Sequence, residues 1–257
     1  MSAIPGADQL IEAATQPTSK PPTVCVFCGA SPGTSPAHLA AARELAHAFH
    51  ARGIHLVYGG GTVGVMGEIA KTLVKLSGPD AVHGVIPEAL LRYERGNVNS
   101  EAAKDPQQQQ QAQAQADEDV TKHLIETKGL IDESIYGRIT VVKDMHSRKQ
   151  MMAQEVISSG PGGGFVALSG GYGTMEELME VVTWNQLGIH ARGIVLYNVE
   201  GYWDGILQWV KTAVGAGFVS ESNRDIMVEA RSGEEVVKCL KDYQNSEGRF
   251  KLKWEEQ

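Results

Sequence analysis

The sequence predicts an α/β fold, a doubly wound parallel sheet in a single domain. Three observations predict it. Short β-rich apolar runs alternate with longer helical segments from Thr23 onward. Glycine clusters stand where those runs end, as in Cys28-Gly29-Ala30-Ser31-Pro32-Gly33 and Tyr58-Gly59-Gly60-Gly61. A length of 257 residues with 42% hydrophobic content is enough for one full core.

The elements follow in order. Residues 1–22 carry acids and prolines without periodicity and are expected as a flexible tail. A strand is predicted over 23–28. Ser35-Pro36 is an N-cap and first-turn signal for a helix that runs to Arg52, where Gly53 stops it. Strands are then predicted over 55–58, 81–86, 138–143, 164–168, 193–197 and 225–228. Helices are predicted over 65–76, 147–159, 175–187, 203–215 and 233–243. Residues 97–119 break the pattern with a glutamine run, Ala/Gln alternation and an acidic cluster. Such a composition cannot bury a core, so it reads as a surface insertion. Residues 120–136 read as a short helix docking back. The domain is expected over 23–244, with a C-terminal tail over 245–257.

Composition narrows the function. A net charge of −8 argues against a nucleic-acid binder, which shows a basic face. No apolar run reaches the length of a membrane span, and the N-terminus lacks the apolar core of a secretory signal. A cytoplasmic enzyme is the default expectation. Three cysteines are present; Cys25 and Cys28 form a C-x-x-C. They lie within a predicted strand and lack a second ligand pair at zinc spacing, so they read as small core hydrophobes, with no metal site expected.

The segment Ser169-Gly170-Gly171-Tyr172-Gly173-Thr174-Met175-Glu176-Glu177 carries the most functional information. It joins a predicted strand to a predicted helix. A glycine turn there lets backbone N–H groups approach an anion at the helix start, which suggests a phosphate cradle. The acids that follow point away from chemistry on the phosphate and toward chemistry on a nucleotide's sugar. Neither this turn nor the one after Tyr58 fits a dinucleotide fingerprint or a P-loop. A nucleoside monophosphate fits better. Glu177 has two readings: Thr174-x-x-Glu177 is a capping box, or the carboxylate works on the ligand. Glu176 reads as a polar helix residue within reach of a ligand. Both acids are expected to stay ionised beside a helix N-terminus. Arg148 and Lys149 read either as a solvated basic pair or as a bidentate contact to phosphate or ribose oxygens. Met145 offers apolar contact to a base. His146 reads as structural rather than as a general base, and Met151, Met152 and Met175 as core.

Gly170-Gly-x-Gly-Thr-x-x-Glu177, with Met145-His-x-Arg-Lys-x-x-Met152 upstream, resembles the LONELY GUY (LOG) family. Cys28-Gly-Ala-Ser31, Val57-Tyr-Gly-Gly-Gly61, Gly84-Val-Ile-Pro87 and Trp184-Asn-Gln-Leu-Gly-Ile-His190 extend the resemblance over about 23–230. The family comprises cytokinin riboside 5′-monophosphate phosphoribohydrolases, many once labelled lysine decarboxylases. The resemblance implies a Rossmann-like fold, a homodimer and no cofactor. It implies Arg148 and Glu177 as the catalytic pair. It places Ser31, Gly60, Glu94, Met145, Arg148, Lys149, Gly170, Gly171, Tyr172, Gly173, Thr174 and Glu176 at the substrate. That substrate would be an N6-substituted AMP. The alternatives are a general AMP or purine nucleotide hydrolase, and a nucleotide-binding module without turnover. Two departures stand out. Ser169 replaces the usual proline, with little effect expected, and the glutamine-rich insertion replaces a short connection.

Overall fold

Val24 and Val26 of β1 (Thr23–Phe27) point into one apolar core, and Cys25 and Phe27 into another. A strand buried on both faces belongs to a parallel sheet covered by helices on each side. The computed structural model describes residues 20–91, 131–250 and 252. Six further strands join β1: β2 (His55–Tyr58), β3 (Val82–Pro87), β4 (Arg138–Val142), β5 (Gly164–Ala167), β6 (Gly193–Tyr197) and β7 (Met227–Ala230). Their spatial order is β4-β3-β2-β1-β5-β6-β7, and every adjacent pair is parallel.

Among the described residues six α-helices fall between strands, α1 (Pro36–His50), α2 (Gly64–Ser77), α3 (Glu133–Tyr136), α4 (Met145–Ile157), α5 (Tyr172–Gln186) and α6 (Asp204–Gly215), and α7 (Gly233–Asp242) follows β7. Leu45, Phe49, Leu73 and Val236 bring α1, α2 and α7 onto one face. Met152, Val156, Leu178, Val181 and Val210 bring α4, α5 and α6 onto the other. Each such side chain, fully buried, contributes about 1.5–3 kcal/mol. Cys25 and Cys28 fall on opposite faces, so the C-x-x-C neither pairs nor converges on a metal. Among the described residues, no helix is long and apolar enough to cross a membrane.

Of the short helix expected over 120–136, residues 120–130 lie outside the described residues and Glu133–Tyr136 is helical. The other predicted strands and helices are present, with shifted edges. Ser35 caps α1 as expected, its Oγ accepting from Ala37 N–H. Helix α4 starts at Met145, two residues before the expected start, because the Asp144 carboxylate accepts from Ser147 N–H at 2.7 Å. Strand β7 starts two residues late. The chain first makes a 3₁₀ turn over Glu221–Asn223, and Ile226 N–H donates back to Asn223. Residues 245–250 were expected as tail, yet this segment is tied to the end of α5. Phe250 N–H donates to Gln186 O, and Arg249 donates to the carbonyls of Asn185 and His190. Residues 1–19 and the expected insertion over 97–119 lie outside the described residues.

The strand order reverses direction between β1 and β5. Loops leaving two such strands diverge to opposite faces and open a crevice at the carboxyl edge of the sheet. Here the two loops stay bonded at their bases: Leu168 N–H donates to Phe27 O and Gly29 N–H to Ser169 O, each at 3.0 Å.

Candidate active site

A cavity of about 490 Å³ opens at this crevice. One wall is the Cys28–Gly33 loop after β1. The facing wall is the turn from Ser169 into α5. Val65, Met66 and Met145 add apolar surface, and Arg148 and Glu177 add charge.

The turn is shaped by what its glycines allow. A Cβ on Gly170 would lie 2.0 Å from Thr174 Oγ1 and 2.9 Å from Gly29 N, so only glycine lets the two loops and the helix start meet. A Cβ on Gly171 or Gly173 would meet nothing within 4 Å, so the outer side of the turn is open. Gly171 is the extended N-cap of α5, and no side chain caps that end. The first backbone N–H groups of a helix have no intrahelical acceptor, and here they stand at the cavity mouth.

This start removes the capping-box reading of Glu177. Thr174 lies inside the first turn of α5 and is not its N-cap, so the capping box does not form. Glu177 sits one turn deeper and is 7% exposed. Arg148, on the first turn of α4, is also 7% exposed. Its Nη2 lies 3.7 Å from Glu177 Oε1, close enough for charge attraction but too far for a hydrogen bond. Among the described residues, Arg148 Nε and Glu177 Oε1 have no hydrogen-bond partner. Buried polar atoms left so are costly and point to a ligand or water that completes them. Burial pushes the Glu177 carboxyl above its usual range, while the adjacent Arg148 guanidinium pulls it back. The pull toward ionisation expected beside a helix N-terminus is therefore opposed by the burial of Glu177.

The other predicted residues divide. Ser31, Met145, Gly170, Gly171, Gly173 and Thr174 line the cavity with Arg148 and Glu177. Lys149 and Glu176 do not; Lys149 is ion-paired to Glu176 and Glu180, joining α4 to α5 outside the cavity. An α-helix sends adjacent residues about 100° apart, so Arg148 and Lys149 diverge. Tyr172 is 97% exposed and points away from the lining. Gly60 packs on Ile86, and the glycine against the site is Gly59, where a Cβ would fall 1.7 Å from Arg148 Nη2. His146 is exposed and does not line the cavity. Glu94 lies outside the described residues. His38 and Tyr202 line the cavity unforeseen. Tyr202 follows β6, and its hydroxyl donates to Gly170 O. No motif near either residue marked it.

The description "Possible lysine decarboxylase" matches residues 66–240 as a family. A bifunctional cytokinin biosynthesis protein of Fusarium pseudograminearum is 48% identical over 91% of the chain, which spans 43% of that relative's length. A cytokinin riboside 5′-monophosphate phosphoribohydrolase of Arabidopsis thaliana is 38% identical over 88% of the chain and 85% of the relative. A probable enzyme of the same name from Oryza sativa subsp. japonica is 37% identical over 85% of the chain and 83% of the relative. Among solved structures, the molybdenum cofactor carrier protein of Chlamydomonas reinhardtii superposes with a TM-score of 0.52 at 17% identity. That match covers 86% of this chain and 97% of the other and speaks to the fold alone.

Proposed function

The chain belongs to the LONELY GUY family, and on that premise we propose that it hydrolyses the N-glycosidic bond of N6-substituted adenosine 5′-monophosphates. The products are the free base, an active cytokinin, and ribose 5-phosphate. The observation that carries this reading is the buried Arg148–Glu177 pair, unbonded and one helical turn below an open glycine turn.

The 5′-phosphate sits on the turn Gly170–Thr174, where the N-terminus of α5 offers N–H donors to an anion. That contact lies away from the reacting carbon and supplies orientation. The ribose then lies over Glu177. As the C1′–N bond breaks, its electron pair leaves with the base and positive charge grows on the sugar. The Glu177 carboxylate stabilises that charge and directs a water to C1′. The water oxygen bonds to C1′ and its proton ends on the base. Arg148 holds the nucleotide and offsets negative charge on the departing base. Val65, Met66 and Met145 supply apolar contact to the base and its N6 substituent.

Decarboxylation through a pyridoxal Schiff base would need a lysine amine at the cavity. Among the described residues none lines it, and Lys149 is held by two carboxylates. A cytoplasmic homodimer belongs to the same proposal. Tyr172 and the half-buried Met175, Met179, Val182 and Trp184 leave apolar surface on α5 that a second copy would cover.

The test is cleavage of isopentenyl-AMP, AMP and isopentenyl-adenosine in parallel. Free base and ribose 5-phosphate from the first, at the highest kcat/KM, support the proposal. Preference for AMP replaces it with a general nucleotide hydrolase. Binding with no cleavage leaves a nucleotide-binding module.

A further inference from the structure

His38 is a cavity residue to which nothing in the proposed chemistry assigns a role. It sits near the start of α1, across the crevice from the glycine turn. Its ring is held on three sides. Nδ1 lies 2.9 Å from the hydroxyl of buried Ser169. Cδ2 faces Gly33, where a Cβ would fall 2.8 Å away, so the loop backbone closes on the ring. The Tyr202 ring meets it edge-on with centroids 5.9 Å apart. Tyr202 in turn donates to Gly170 O, which ties the ring's support to the turn itself. Among the described residues, the other ring nitrogen, Nε2, has no hydrogen-bond partner.

We propose that His38 is a specificity residue that reads the substrate's 5′-phosphate, donating from Nε2 to a phosphate oxygen. The hydrogen bond made by one ring nitrogen sets the tautomer at the other. Among the described residues Ser169 Oγ makes no other hydrogen bond: donating its proton to Nδ1, it puts the ring's proton on Nε2. The imidazolium form carries that proton as well. A ring so fixed presents an N–H donor without losing side-chain freedom on binding. The α5 N-terminus offers neutral N–H groups, and Arg148 is committed beside Glu177 one turn deeper. His38 therefore supplies a side-chain N–H donor at the phosphate end, beside the hydroxyls of Ser31 and Thr174. Ser169 and Tyr202 act as positioning residues for it.

This rests on the phosphate-first reading of the cavity but not on turnover. The test is calorimetric titration with ribose 5-phosphate and with isopentenyladenine, for wild type, His38→Ala, His38→Gln and His38→Asn. Far-ultraviolet dichroism checks that each variant folds. A glutamine amide stands near the Nε2 position and an asparagine amide near Nδ1. The expected result is about ten-fold weaker ribose 5-phosphate binding in His38→Ala and His38→Asn, the loss of one hydrogen bond to a charged group. His38→Gln recovers most of it, and binding of the base is unchanged in all three. The kcat/KM ratio of monophosphate to riboside falls by the same factor. Unchanged ribose 5-phosphate binding overturns the proposal. So does rescue by asparagine alone, which would mean that only the contact to Ser169 matters. So does wild type failing to bind ribose 5-phosphate. Wild type that binds ribose 5-phosphate through His38 yet cleaves nothing would remove the hydrolase reading and leave this one standing.

Discussion

Arg148 Nη2 and Glu177 Oε1 stand 3.7 Å apart, both nearly buried, with no hydrogen bond between them. A pair meant only for stability would close that gap, since a buried ion pair repays its desolvation only with good geometry. Two helices from different crossovers deliver these side chains to the same floor. Their separation leaves Glu177 Oε1 free for a substrate or water.

Glu177→Gln is expected to lower kcat by about 10²–10³-fold while nucleotide binding persists. It is also expected to raise the melting temperature at pH 7.5. The folded carboxyl is shifted up, so its contribution is fully present below the unfolded pKa and lost as pH rises through the folded one. Ionised Glu177 is thus a cost at neutral pH, and the amide removes it. Parallel melting and single-turnover measurements check both halves; loss of stability with loss of activity would mark Glu177 as structural.

The same shift fixes the acid side of the pH–rate profile. Glu177 must be ionised to stabilise a cation, so kcat/KM is expected to fall on acidification with a midpoint above the usual glutamate value of 4.5. The limb should vanish from the residual activity of Glu177→Gln. A profile in the variant with the same acid limb would assign it to another group.

Gly59 and Gly60 are expected to fail in different ways. Alanine at Gly59 collides with the tip of Arg148, a flexible group that can shift, so activity falls at least ten-fold with little change in stability. Alanine at Gly60 must adopt φ near +74° against Ile86, a left-handed strain of about 1–2 kcal/mol. Stability then falls more than activity. Melting curves and steady-state kinetics on the two variants separate the cases.

Much of this was legible in sequence because it is local. The alternation of Val24, Cys25, Val26 and Phe27 announces a doubly covered strand, and Gly170–Thr174 announces an open helix start. What sequence left open is set by geometry across the fold. Adjacent Arg148 and Lys149 look alike until α4 turns one inward and the other onto Glu176 and Glu180. Thr174 and Glu177 have capping-box spacing, and only the start of α5 at Tyr172 rules it out. His38, on α1, and Tyr202, after β6, reach the cavity from 131 residues before Ser169 and 32 residues after Gly170. No local motif could signal such contacts.

His190 sets a prediction for stability in acid. Its Nε2–H donates to Val181 O and its Nδ1 accepts from Arg192 N–H, so the fold holds the neutral ring. Burial lowers its pKa from 6.5 to about 4. A histidine so depressed contributes stability that is present above the unfolded pKa and lost as pH falls toward the folded one. The window is therefore about pH 6.5 down to 4, and the loss across it is about 3 kcal/mol. His190→Gln keeps a side-chain donor and acceptor but cannot titrate. Its urea stability is expected to start lower at pH 7.5 and to fall less steeply on acidification than wild type, so the two curves converge toward pH 4.5. Curves that stay parallel through the window would mean that other groups, such as the carboxylates paired across α4 and α5, govern unfolding in acid.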